Sequence, residues 1–127
     1  MTVALWCILI AFVLPYLCVV IAKVGGRFRL QDNHDPRDFL ESLDGVPRRA
    51  YAAQLNGYEI NPAFAAAVIV AHLAGNAELV TINVLAVLFI TSRLLYIICY
   101  LADWAILRSL VWLVGVGLVA SFFFVSI

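Results

Sequence analysis

Charge in this chain is confined to a narrow window. Eleven of its 16 charged residues lie between Lys23 and Arg49, and outside it only Glu59, Glu78, Arg93, Asp103 and Arg108 remain. A membrane-crossing helix needs about 20 mostly apolar residues, because the bilayer core offers backbone groups no water to bond. The charge-poor stretches hold four such helices, about 2–24, 47–73, 77–102 and 104–127, with 25–46 as the one polar loop. Hydrophobic residues make up 65% of the 127, against about 45–50% in soluble domains. The expected fold is therefore all-α, a four-transmembrane-helix antiparallel bundle in a single domain. An ordinary water-soluble enzyme is excluded, and a formal net charge of zero argues against a nucleic-acid partner.

Local signals divide the chain. The first span is uncharged up to Lys23 and lacks a basic leader, so it reads as a retained helix and not as a signal segment. Pro15 falls inside it and is expected to bend it. Gly25-Gly26 ends it. Asp35-Pro36 has the form of a helix start, with Asp as cap and Pro in the first turn. Phe39, Leu40 and Leu43 follow as an apolar edge, which places 36–43 on the membrane surface. The turns at Gly75-Asn76 and near Asp103 are short, so the helices they join are antiparallel neighbours. Lys23, Arg27, Arg29, Arg37, Arg48, Arg49 and Arg108 all fall at one set of helix ends. The positive-inside rule then puts the 25–46 loop in the cytoplasm and both termini outside.

Polar groups inside apolar helices carry the functional signal, since a charge at a helix centre costs about 2.5–3.5 kcal/mol on insertion scales. At about 100° per residue, Arg48, Ala52, Asn56, Glu59 and Ala63 share one sector of the second helix, with Arg49 at its margin. Arg93, Tyr96, Tyr100 and Asp103 form one face of the third. Arg108 and Ser109 stand at the start of the fourth. The plain reading is a structural clasp, a Glu59–Arg93 pair made directly or through Asn56. The functional reading is a cationic pocket opening to the cytoplasmic leaflet. There arginines hold an anionic ligand, a tyrosine or arginine stabilises a thiolate, and membrane lipid adjoins a greasy second substrate.

The stretch Tyr51-Ala52-Ala53-Gln54-Leu55-Asn56-Gly57-Tyr58-Glu59-Ile60-Asn61-Pro62-Ala63-Phe64 resembles the second-helix motif of the MAPEG superfamily, the membrane-associated proteins of eicosanoid and glutathione metabolism. Arg93 through Tyr100, followed by Arg108-Ser109, is similar to the family's third-helix pattern and the start of its fourth. The resemblance covers essentially the whole chain and is strongest to short bacterial members, which implies an inner-membrane location. It implies a trimer of four-helix protomers binding glutathione between neighbours near the cytoplasmic side, and a glutathione-dependent transferase or peroxidase acting on lipophilic small molecules. Carried over by position, Arg108 and Tyr100 are the candidate catalytic residues. Arg48, Arg49, Asn56, Glu59, Arg93 and Tyr96 are the candidate glutathione-binding residues. The arginine that opens the motif is Ala52 here, and Arg48 or Arg49 is expected to reach into the vacated space.

Two other functions fit parts of the pattern. A non-catalytic protein binding a lipid or small amphiphile on the same scaffold would explain Ala52. A small proton-coupled exporter would use Glu59, although the uncharged first helix and long first loop speak against it. Cys7, Cys18 and Cys99 read as free core thiols. His72 reads as a helix-end polar residue, His34 as turn chemistry, and Trp6, Trp104 and Trp112 as interfacial or packing aromatics. Gly115 and Gly117 read as points of close helix approach. No metal-ligand spacing is present.

Overall fold

The computed structural model describes residues 1–127 as five α-helices and one 3-10 turn: α1 (Val3–Gly25), the turn (Leu30–His34), α2 (Pro36–Glu41), α3 (Gly45–Ala74), α4 (Leu79–Leu101) and α5 (Ala105–Phe124). Helices α1, α4 and α5 are long and apolar enough to cross a membrane. Helix α3 is the longest at 30 residues but carries Arg48, Arg49, Gln54, Asn56 and Glu59 in its first half. Helix α1 packs on α3 and α4, and α5 packs on α4 and α3, so α3 and α4 form the shared centre.

The distribution of side-chain size is inverted relative to a soluble bundle. Ala4, Cys7, Ala11, Cys18 and Ala22 of α1 are buried, as are Ala50, Ala53, Gly57, Ala67 and Ala71 of α3. Large residues such as Phe12, Leu17, Val20, Leu94 and Leu113 face outward. Hydrocarbon surroundings give apolar side chains no reason to turn inward, and small residues let backbones approach closely. Three buried aromatic rings from α3, α4 and α5 meet in the core. Phe64 and Phe89 lie parallel at 4.0 Å between centroids, and Phe122 meets Phe64 at 5.9 Å and 66°.

Helices α1 and α3 are locked by three residues acting together. Pro15 has no amide hydrogen, so the Ala11 carbonyl loses its intrahelical donor. The Asn61 side-chain amide donates to that carbonyl at 2.6 Å. Gly57 makes the approach possible, since a Cβ there would lie 2.8 Å from Pro15 Cγ. The helix runs without interruption through Pro15, because the neighbouring helix supplies the missing donor.

The two ends differ in chemistry. At one end, Thr2 Oγ1 and His72 Nε2 are 3.0 Å apart, the Ala4 amide donates to Asn83 Oδ1 and Asn76 donates to the Ser126 carbonyl. Both termini are therefore at this end. The other end gathers Lys23, Arg27, Arg29, Arg37, Arg48, Arg49 and Arg108. Asp35 caps α2 by accepting from the Asp38 amide at 3.1 Å. The expectation for the apolar edge of 36–43 needs correction. Leu40 is buried with Ala22, Ala50 and Tyr51, and Phe39 and Leu43 pack against the same cluster. Gly26, with no side chain of its own, leaves room for Leu43 and Phe39, so α2 folds back on the bundle and does not offer that edge to the bilayer.

An unpaired buried acceptor costs about 1–3 kcal/mol. Asn61→Leu should lower the melting temperature in detergent by that loss. In a Pro15→Ala background, the restored amide at position 15 can serve the Ala11 carbonyl, and Asn61→Leu should cost markedly less. Equal costs in the two backgrounds would reject the lock.

Candidate functional site

Three helices converge at the cationic end. Arg93 of α4 is only 3% exposed, and a guanidinium in such surroundings needs partners. It donates to Asn56 Oδ1 of α3 at 2.6 Å and lies 4.3 Å above the Tyr96 ring. The amide of Asn56 then points the other way and donates to Glu59 Oε2 at 3.4 Å. Its orientation is set from both sides, because a guanidinium only donates and a carboxylate only accepts. Glu59 and Arg93 are thus joined through Asn56. Glu59 is exposed and loosely held, so its carboxylate is free to take a cation.

One α-turn along α4, Tyr100 meets Tyr96 edge to face at 5.6 Å and 75°. Arg108 of α5 sits 4.3 Å over the Tyr100 ring. Arg93, Tyr96, Tyr100 and Arg108 therefore form a continuous ladder, two rings in edge-to-face contact with a cation on each outer side. Such contacts contribute about 0.5–2 kcal/mol each, more when desolvated. The ladder runs from the bundle interior to the surface and tethers the start of α5 to the end of α4.

A cavity of about 240 Å³ opens beside the ladder, lined by Asn56, Tyr96, Tyr100, Arg108, Ser109 and Trp112. A second, of about 230 Å³, continues along the α3–α5 groove past Glu59, Ile60, Ala63, Val116 and Val119, and shares Asn56 and Trp112 with the first. The first is polar and the second largely apolar. Arg93 lines neither; it stands behind Asn56 and Tyr96 and positions them. A third cavity of about 560 Å³ opens at the same end of the bundle on the α1–α2–α3 face, with Lys23, Arg37, Tyr51 and Gln54 in its wall. Gln54 is 7% exposed and its Oε1 has no hydrogen-bond partner.

Of the eight residues singled out in the sequence, Asn56, Glu59, Arg93, Tyr96, Tyr100 and Arg108 come together here. Arg48 and Arg49 do not. Arg48 donates to the Glu41 carbonyl at 2.9 Å and lies over Tyr51. Arg49 donates to the Leu101 carbonyl at 3.3 Å, capping the end of α4. Both serve the carbonyls of helix ends, which need donors, and neither contacts Asn56 or Glu59. Trp112, by sequence an interfacial or packing aromatic, borders both cavities. Its signal was the α5 face shared with Arg108, Ser109 and Val116. Gln54 was missed because it lies two residues from Asn56, about 200° around the helix.

A sequence model described as MAPEG family matches residues 3–127. No curated protein and no solved structure matches the chain.

The Arg93–Asn56 contact gives a test free of any assumption about ligand. Removing one member of a buried charged pairing costs about 3–5 kcal/mol because the other is left uncompensated. Asn56→Leu should therefore destabilise the protein more than the double variant Asn56→Leu/Arg93→Met does. Thermal melts of the four members of this cycle measure the coupling, and additive effects would reject it.

Proposed function

The chain belongs to the MAPEG family, and on that premise we propose that it binds glutathione at the cationic end of the bundle and turns the thiol on lipophilic substrates, as a transferase or peroxidase. Its apolar helices make it a multi-pass integral membrane protein. In this reading α3 is the fourth span, since 30 residues at 1.5 Å each reach about 45 Å, enough for core and headgroups. The loop faces the cytoplasm and both termini face outside, in a bacterial inner membrane.

The observation that carries the reading is the junction of a polar cavity holding Arg108 and Tyr100 with an apolar one, inside a single groove. Glutathione offers two carboxylates, an ammonium and a thiol. Arg108 has the planar fork that suits a carboxylate or a thiolate. Glu59 has a free oxygen for the ammonium. The Tyr100 hydroxyl donates to sulfur, favouring its charged form. The thiolate attacks an electrophilic carbon, a C–S bond forms, and the leaving group departs with its electron pair. With a hydroperoxide, the thiolate cleaves the O–O bond and releases the alcohol. A second glutathione then takes the oxidised sulfur to the disulfide, with loss of water.

A cavity of about 240 Å³ is smaller than the roughly 300–1,000 Å³ usual for ligand sites. The missing wall comes from a neighbouring copy, in keeping with a trimer. The α1–α2–α3 face has the groups for it: Lys23 and Arg37 as cations and Gln54 with an unpartnered oxygen, at the same end of the bundle. With Ala52 in the motif and Arg48 and Arg49 committed to backbone carbonyls, the carboxylate grip rests on Arg108 and these facing cations.

The same three residues favour a second reading, a non-catalytic protein that binds a lipid or small amphiphile. Calorimetry on purified protein separates the two. Saturable glutathione binding is expected, with thiolate absorbance appearing on binding. Arg108→Met, removing a charged hydrogen bond, should weaken it by about tenfold or more. No binding at millimolar glutathione, together with lipid retained in native mass spectra, would overturn the first reading in favour of the second.

A further inference from the structure

We propose that residues 27–44 form a hinged flap over the cavity on the α1–α2–α3 face, and that the charge of the surrounding leaflet sets how often the flap lifts. The inference rests on the glutathione reading only for what passes beneath the flap, and the flap has its own observable.

The segment is part of the cavity wall and is jointed at both ends. Arg37, Leu40 and Glu41 of α2 share the lining of the 560 Å³ cavity with Lys23 of α1 and Gln54 of α3. With α2 lifted, Lys23 and Gln54 are open to the aqueous side, and a polar ligand reaches them without crossing apolar surface. The backbone turns through the left-handed region on either side of the segment, at Arg27 with φ 59° and at Gly45 with φ 61°. Gly45 adopts that region freely. Arg27 does so at a cost, because its Cβ crowds the neighbouring carbonyl, so the docked position holds strain that lifting releases.

The hold on the flap is local. Leu40 is buried in a small cluster with Ala22, Ala50 and Tyr51, apart from the main core. Phe39 meets Phe28 edge to face at 5.1 Å, and Arg48 donates to the Glu41 carbonyl. On lifting, Phe39, Leu40 and Leu43 exchange the bundle for the bilayer surface. Their apolar area stays out of water in both positions, so the two lie close in free energy. Leu30, 93% exposed within the same segment, already presents an apolar side chain for that surface.

Charge decides between the positions. From 30 to 44 the acidic residues are Asp32, Asp35, Asp38, Glu41 and Asp44, against Arg37 alone. Arg27 and Arg29 lie before this stretch, at the hinge. An anionic leaflet repels the acidic stretch within about 8 Å at physiological salt. It drives the flap toward the bundle end, where Lys23, Arg48 and Arg49 lie. A zwitterionic leaflet exerts no such push.

The readout is the rate at which N-ethylmaleimide, an uncharged reagent, modifies Leu40→Cys in nanodiscs, divided by its rate with Ser42→Cys. Leu40 is hidden only while the flap is down, and Ser42 is exposed in the docked flap. The native thiols Cys7, Cys18 and Cys99 are buried, so the unsubstituted protein is the blank. In phosphatidylcholine discs the ratio should lie about tenfold or more below one, and added phosphatidylglycerol should lower it severalfold further. Gly26→Val puts carbon where the apolar edge docks, since a Cβ there would lie 3.0 Å from Phe39 Cζ, and should raise the ratio about tenfold. Arg48→Met leaves that packing alone, frees the Glu41 carbonyl and should raise the ratio severalfold. A ratio unmoved by both variants, or unmoved by lipid charge, would overturn the proposal. Stopped-flow thiolate absorbance should show glutathione both entering and leaving faster in Gly26→Val, and rates unmoved while the ratio rises would overturn the flap as a gate. No glutathione binding to the unsubstituted protein, with the ratio behaving as expected, would instead overturn the glutathione reading alone.

Discussion

A guanidinium inside an apolar bundle must be answered, and much of this molecule is arranged around the answer to Arg93. Its hydrogen bond to Asn56, at 2.6 Å, ties α4 to α3. That bond turns the amide so that its nitrogen faces Glu59. The same cation sits on Tyr96, which orients Tyr100, which in turn receives Arg108. One buried charge thereby sets the relative positions of three helices at the end of the bundle where the cavities lie. Arg93 itself touches neither cavity. Its part is to present Asn56 and Tyr96, so the chemistry of the groove depends on a residue that stands behind its wall.

The small-residue seam between α1 and α3 is the second constraint, and it serves the first. In a bilayer, close packing and satisfied backbone groups replace hydrophobic collapse as the source of helix association. Pro15, Gly57 and Asn61 provide both in one place, a close backbone approach and a donor for a freed carbonyl. That lock faces α1, whereas Asn56 and Glu59 leave α3 toward α4 and α5. Helix α3 is thus held on one side by packing and used on the other for polar chemistry. This division explains why it is the least apolar of the four long helices.

Much of this arrangement was legible in the residues. The charge window marked the loop, and the spacing of Asn56 with Glu59 and of Arg93 with Tyr96 and Tyr100 placed each group on one helix face, since helical periodicity is a property of sequence. The joining of Glu59 to Arg93 through Asn56 was one of the two routes that spacing allowed. Three features were not legible. Arg48 and Arg49 share the sector of Asn56 by angle, yet they bend toward the carbonyls of Glu41 and Leu101. A long side chain can serve any partner in reach, and only packing shows which is nearest. The apolar edge of α2 had two hydrophobic places to go, the bilayer or the bundle, and Gly26 decided for the bundle. Trp112 looked like any interfacial tryptophan until the cavities on either side of it were visible.

The residues alone determined that this chain is helical, that it belongs in a membrane and that its cations gather at one end. Each follows from local composition and period, acting over a few turns of chain. Tertiary structure decided which charges meet, where the groove opens and what borders it. Those are matters of distance between segments remote in sequence, and no local pattern encodes the rotation of one helix against the next.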